Sequence, residues 1–188
     1  MEENIMHQNM MEDIDHILLS KEELQAKVAE IGAQISKDYQ GKNLLLLSVL
    51  RGSFIFMADL ARAITVPLSV DFMSASSYGS STKTSGAVKI TKDIDIDIEG
   101  KDVIVVEDIL DSGLTLSFLM GLLKAKKPAS LHLCALLDKP ERRKAEVNLT
   151  YKGFTVPDEF VVGYGLDYDE KYRNLPFIGV LKPEVYSK

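Results

Sequence analysis

The sequence predicts an α/β fold, a parallel sheet flanked by helices, on three observations. The run Val103-Ile104-Val105-Val106 is unbroken and β-branched, and Leu44–Leu50 is almost as apolar. Strands of this kind are covered on both faces, which is the condition of a parallel sheet between helices. Such runs alternate along the middle of the chain with segments whose apolar residues recur every three or four positions, the pattern of right-handed βαβ crossovers. Charged and small residues follow three of the runs directly, where open α/β sheets bind ligands.

The bulk properties narrow the function classes. With 188 residues, 46% of them hydrophobic and 27% charged, the chain carries enough apolar material for a sizeable core. A single domain over residues 12–188 is expected, with residues 1–11 as a flexible tail, because those eleven positions hold four methionines and no periodicity. A net charge of −6 argues against a general nucleic-acid or membrane-surface binder. No apolar run approaches the roughly 20 residues of a membrane span. The polar, acidic N-terminal residues lack a secretory signal pattern. The lone cysteine, Cys134, lies in an apolar run, where an inert buried thiol is expected. Together these point to a cytoplasmic protein. His7, His16 and His132 lack metal-ligand spacing, so zinc chemistry is not expected.

Taken in order, residues 13–19 read as a short strand. Ser20 and Glu23 form a capping box, and Leu24, Val28, Ile31 and Ile35 mark the buried face of a helix ending before Gly41. Leu44–Leu50 is a strand, residues 54–64 a helix and residues 67–73 a third strand. Residues 74–86 are too small and polar to build a core; they form a long loop, either a lid or an open hairpin. Residues 88–90 resume an extended pattern. Asp93, Asp95 and Asp97 alternate with Ile94, Ile96 and Ile98, giving an edge strand or an extended connection, and Gly100 turns the chain into the run at 103–106. A helix over 116–127 stops at Pro128, and residues 131–137 form a strand. Residues 141–158 are mixed and broken by Pro157. Residues 160–165 read as a short strand and 177–181 as the last one.

The stretch from Glu107 to Thr115 carries the clearest chemistry. Glu107 and Asp108 follow the strand at 103–106, where it should leave the core. Carboxylate oxygens there suit ribose hydroxyls or Mg2+, although such a pair is also a common solvated cap. Asp111, Ser112, Gly113, Leu114 and Thr115 can wrap a phosphate: Gly113 permits close backbone approach, the hydroxyls donate, and a helix N-terminus follows. The loop lacks the Gly-Lys-Ser/Thr end of a Walker motif and the glycines of a dinucleotide fingerprint.

Val-Ile-Val-Val-Glu-Asp-Ile-Leu-Asp-Ser-Gly-Leu-Thr resembles the phosphoribosyl-pyrophosphate (PRPP) motif of the type I phosphoribosyltransferases. Within that family the chain is similar to the hypoxanthine–guanine branch. Leu50-Arg51-Gly52-Ser53 matches its pyrophosphate loop, and Ser77-Tyr78-Gly79 the start of its flexible catalytic loop. Leu136-Leu137-Asp138-Lys139 matches the segment whose lysine reads a 6-oxo group, residues 160–168 the purine-binding segment, and Arg173 a pyrophosphate-contacting arginine. Arg51 and Ser112 replace a lysine and a threonine found in many members; neither loses a donor. The similarity runs from about Asp15 to the C-terminus.

The resemblance implies a type I phosphoribosyltransferase core with a small hood subdomain built from the N- and C-terminal segments. It also implies transfer of ribose 5-phosphate from PRPP to hypoxanthine or guanine in purine salvage. It gives PRPP to Arg51, Gly52, Ser77, Tyr78, Glu107, Asp108, Asp111, Ser112, Gly113, Leu114, Thr115 and Arg173. It gives the purine to Lys139, Phe160, Val161 and Asp167, and makes Asp111 the general base. Mg2+ is the implied cofactor, with Glu107, Asp108 and Asp167 as its ligands. A non-proline cis peptide at Leu50–Arg51 and a homodimer or homotetramer are further implications. A regulator that keeps the fold but binds nucleic acid is the alternative from another class, and the negative charge and the presence of Asp111 count against it. Lys139 disfavours adenine as the base; xanthine is the other candidate base.

Overall fold

The computed structural model describes residues 10–77 and 88–187, the side chains of residues 76 and 77 excepted. Six strands form one sheet: β2 (Leu44–Leu50), β3 (Leu68–Ser77), β4 (Val88–Lys92), β5 (Asp102–Leu110), β6 (Ser130–Asp138) and β7 (Tyr151–Thr155), in the order β4-β3-β2-β5-β6-β7. All neighbours pair parallel except β3 and β4. From β2 the chain crosses through α2 (Phe54–Ala63) to β3 on one side. From β5 it crosses through α3 (Leu114–Ala125) to β6 on the other. The direction of winding therefore reverses between β2 and β5, and a crevice is expected beyond their carboxyl ends.

Strand alternation sorts the central residues into two cores. Leu44, Leu46, Ile104, Val106, Cys134 and Leu136 pack on one face, with α1 (Lys21–Asp38) and α2. Leu45, Leu47, Val103, Val105, Leu133 and Ala135 pack on the other, with Leu116, Leu119 and Leu123 of α3 and with Ile98. This double burial is what the unbroken apolar runs require. The Ser20 capping box is present: Glu23 N donates to Ser20 Oγ at 3.3 Å and Ser20 N to Glu23 Oε2 at 2.8 Å. Cys134 is fully buried, which pushes its thiol pKa up and leaves it inert.

A second sheet, β1-β9-β8, joins β1 (Ile14–Leu19) to β9 (Ile178–Leu181) and β8 (Val161–Val162), all antiparallel. It is the hood expected from the N- and C-terminal segments, and it has its own core of Ile14, Val162, Tyr172, Leu175 and Leu181. Of the expected tail, residues 1–9 lie outside the described residues. Met10 to Glu12 are helical, and Met10 packs against the hood core.

Several boundaries differ from the sequence expectation. β3 continues to Ser77, into the segment read as loop, because antiparallel β4 satisfies its edge. Residues 93–98 form a connection and no strand. Buried Asp71 accepts the N–H groups of Asp95 and Ile96, at 2.7 and 2.8 Å, and these bonds replace a sheet ladder. The mixed segment 141–158 contains β7, a five-residue edge strand with no clean alternation. Of the expected strand at 160–165 Val161 and Val162 pair with β9, and Gly163 makes only an isolated bridge to Leu166. After β9, Pro183 at the first helical position opens a short helix, α4 (Pro183–Tyr186), which periodicity is too brief to reveal.

Ile104 is fully buried at the centre of the six-stranded sheet. Ile104→Ala should therefore cost about 2–5 kcal/mol of stability, read as a lowered urea midpoint with an unchanged denaturant slope.

Candidate active site

The three polar clusters sit at the carboxyl ends of adjacent strands β2, β5 and β6, so they converge on one crevice. At the end of β2 the Leu50–Arg51 peptide is cis, as the resemblance implied. Gly52 is needed for a steric reason. A Cβ built there would lie 1.6 Å from Asp108 Oδ2, so glycine lets this loop meet the Asp108 carboxylate where it stands, and any side chain would force that carboxylate to move.

The acidic pair does not follow the strand; it lies within it, because β5 runs to Leu110. Val106 and Ile109 pack with the first core, Val105 and Leu110 with the second, so the alternation between faces breaks across Glu107 and Asp108. Asp108 is then buried, and Glu107 is half-buried with its Oε2 shut away from water. Glu107 Oε2 is buried with no hydrogen-bond partner, and burial, together with the neighbouring Asp108, pushes its pKa well up. Burial raises Asp108 to about 6; the Ile109 N–H, donating at 2.8 Å, and Arg173 pull it down, and Asp167 pushes it up.

Asp167 and Arg173 thus belong to this cluster. Arg173 Nη2 contacts Asp167 Oδ1 at 2.9 Å and Glu170 Oε2 at 3.1 Å, and Arg51 Nη2 contacts Glu170 Oε1 at 2.8 Å. The two expected pyrophosphate arginines share one carboxylate, that of Glu170, a residue the sequence reading did not single out. Arg51 and Glu170 are both well exposed, so this pair is weak and exchangeable. Among the described residues no group of three or more metal-ligating side chains forms a cage. An orphaned carboxylate oxygen on Glu107, beside Asp108, which in turn feels Asp167, fits a cation that keeps waters and substrate oxygens in its shell, the habit of Mg2+.

The loop after β5 presents backbone donors. Gly113 takes the left-handed φ of 77° and opens α3. Ser117 N returns to Gly113 O, which leaves the N–H groups of the first turn, those of Leu114 and Thr115 among them, without helical carbonyls. The loop is braced from the segment after Lys139, which sequence reasoning missed. Lys144 N and Ala145 N donate to Ser112 O at 2.8 and 3.1 Å. Arg143 donates to Asp111 O at 3.0 Å and to Leu110 O at 3.2 Å, and also binds the Asp138 carboxylate. The only sequence signal was an Arg-Arg pair after a proline, which by default reads as a solvated turn. Asp111 Oδ1 has no hydrogen-bond partner and stands 3.3 Å from Arg142 Nε.

Beside Asp111 opens a cleft of about 390 Å3, lined by Lys139, Arg142, Phe160, Val161, Leu166 and Tyr186 among others. Lys139 is 5% exposed. Its ammonium donates to the carbonyl of Glu159, and burial lowers its pKa. Phe160, by contrast, keeps 37% of its surface exposed for a large apolar ring. Of the remaining expected residues, Ser77 ends β3, where its backbone pairs with Val88. Tyr78 and most of the 74–86 loop lie outside the described residues.

Comparison with known proteins agrees with this geometry. The model of the phosphoribosyl transferase domain matches residues 16–169. A hypoxanthine-guanine phosphoribosyltransferase from Bacillus subtilis is 54% identical over 178 residues, 95% of this chain and 99% of that protein. Bifunctional protein TilS/HprT from Listeria monocytogenes is 52% identical over 97% of this chain, which spans only 28% of that protein's length. The crystal structure of a hypoxanthine phosphoribosyltransferase from Staphylococcus aureus superposes with a TM-score of 0.92 at 52% identity, covering 95% of this chain and 97% of that one.

The raised pKa of Asp108 has a signed consequence for stability. The folded chain binds this proton more tightly than the unfolded chain, so Asp108 costs nothing below pH ~4 and its cost grows as pH rises through about 6. In metal-free protein Asp108→Asn, which keeps the acceptor for Ile109 N–H, should add on the order of 1–3 kcal/mol at pH 7. The gain should vanish near pH 4 when urea unfolding is followed in EDTA.

Proposed function

The chain belongs to the phosphoribosyltransferase family, and from that premise we propose that it is a hypoxanthine–guanine phosphoribosyltransferase of purine salvage. One observation carries the choice of base. Lys139, buried at the end of β6, directs its ammonium into the cleft beside Asp111, onto a carbonyl oxygen. A purine 6-oxo oxygen can take the place of the Glu159 carbonyl as acceptor, whereas the 6-amino group of adenine would set donor against donor.

In the proposed reaction N9 of the base attacks the anomeric carbon of PRPP, the bond to the pyrophosphate oxygen breaks, and the purine N7 proton leaves. Asp111 accepts that proton; it lines the cleft that holds Lys139, and its Oδ1, 3.3 Å from Arg142 Nε, has no hydrogen-bond partner. The 5′-phosphate sits on the N–H groups and hydroxyls of Ser112 to Thr115, at the start of α3. Arg51 and Arg173 take the leaving pyrophosphate, exchanging Glu170 for it. Glu107 and Asp108 face the ribose and, with Asp167, would hold Mg2+, which when bound supplies positive charge to the pyrophosphate oxygens. The purine lies against Phe160 and Val161, with Asp167 at the edge that bears N1 and C2.

The substrates in this reading are small molecules. Among the described residues no helix is long and apolar enough to cross a membrane, and with a buried free thiol this supports action in the cytoplasm. Leu114, Phe118 and Leu122 are exposed four residues apart along α3 and offer an apolar face for a homodimer or homotetramer.

The direct test is a spectrophotometric assay with PRPP and Mg2+ against hypoxanthine, guanine, xanthine and adenine. Turnover of the first two and none of adenine is expected; equal use of adenine would reject Lys139 as the reader of the base. Asp111→Asn should lower kcat about 10²–10⁴-fold while PRPP still binds, and an unchanged kcat removes Asp111 as the base. Lys139→Ala should raise KM for hypoxanthine far more than KM for PRPP.

A further inference from the structure

Phe160, on which the proposed purine would stack, is not held by the core. It precedes the two-residue strand β8 and stays 37% exposed. Two other rings fix it. Tyr186 stacks on it with centroids 4.8 Å apart and planes at 21°, and Tyr168 meets it edge-on at 5.6 Å and 89°. Tyr168 lies within the segment already read as purine-binding. Tyr186 lies eighteen residues further on, in the short helix that periodicity did not reveal.

That helix is placed by contacts of its own. Lys182 N donates to Asp13 O at 2.9 Å, and Lys182 Nζ to Glu12 O at 2.6 Å, which pins the start of α4 to the N-terminal side of the hood. Val185 packs against the hood core. Tyr186 packs against the same hood core and also reaches the cleft, which it lines together with Lys139, Asp111 and Phe160.

We infer that Tyr186 is a positioning residue for the base: it holds the plane of Phe160 and forms the outer wall of the purine cleft. The inference rests on the purine reading given above. A ring free to rotate about χ1 and χ2 must lose that freedom when a base stacks on it, and Tyr186 removes the cost in advance. The ring of Tyr186 makes the stack, so phenylalanine should serve in its place.

The test compares Tyr186→Ala, Tyr186→Leu and Tyr186→Phe with the parent protein, by steady-state kinetics in hypoxanthine and in PRPP and by thermal melts. KM for hypoxanthine should rise about three- to ten-fold in Tyr186→Ala and Tyr186→Leu. It should stay within about two-fold of the parent in Tyr186→Phe, with KM for PRPP unchanged throughout. Tyr186→Leu keeps apolar bulk on the hood, so it tests the ring even if the alanine variant melts early. An unchanged hypoxanthine KM in Tyr186→Leu, or equal rises for both substrates, overturns the inference and leaves the purine reading standing. A parent protein that does not turn over hypoxanthine overturns both.

Discussion

The site depends on one unfavourable burial. Glu107 and Asp108 are carried into the end of a strand whose other residues fill two apolar cores, and Asp108 is pressed against the backbone at Gly52. Neither carboxylate finds a full set of partners: Glu107 Oε2 has none, and Asp108 has one neighbouring N–H and the distant pull of Arg173. A buried charge without a partner is costly in proportion to its isolation. The sheet tolerates this because the strands on either side, β2 and β6, bury apolar side chains on both faces. A ligand rich in hydroxyls, or a cation, regains what the fold gives up, and stability is commonly spent this way at functional sites.

Around that pair the structure divides labour between rigid and exchangeable parts. Positions that must not move are held by backbone hydrogen bonds. Ser112 O is tied to the N–H groups of Lys144 and Ala145, and Arg143 clamps the carbonyls of Leu110 and Asp111. Groups that must let go are held by exposed charges, as where Glu170 spans Arg51 and Arg173. The exposed Arg51–Glu170 pair is worth little in water, so the pyrophosphate of the proposed reaction would displace Glu170 from it at small cost. The hood supplies a third kind of support. Its C-terminal segments bring the rings of Phe160, Tyr168 and Tyr186 together beside the cleft.

The motifs were legible because each is local. A strand buried on both faces, a small polar loop and a helix start fall within fifteen residues, from Asp102 to Leu116, so their geometry follows from propensity and sterics. Arg51, Lys139, Asp167 and Arg173 could be assigned only through a resemblance, since by composition each reads as a surface residue. Arg143 carried only the signal of a solvated turn, and Tyr186 none. A guanidinium that braces carbonyls 32 and 33 residues away, and a ring of α4 that stacks on Phe160 ahead of β8, leave no period in the chain.

By itself, then, the sequence determined the class of fold, most of its strands and helices in order, though not β7 or α4, and the small polar loop at residues 111–115, because periodicity and short-range sterics act within a few residues. Only the tertiary structure decided that the acidic pair lies inside β5, that Gly52 meets Asp108, that Arg143 braces the loop at Asp111 and that Tyr186 stacks on Phe160. Those depend on which strands become neighbours and how closely they pass, and the free energy of such contacts is set by burial, which no stretch of chain contains alone.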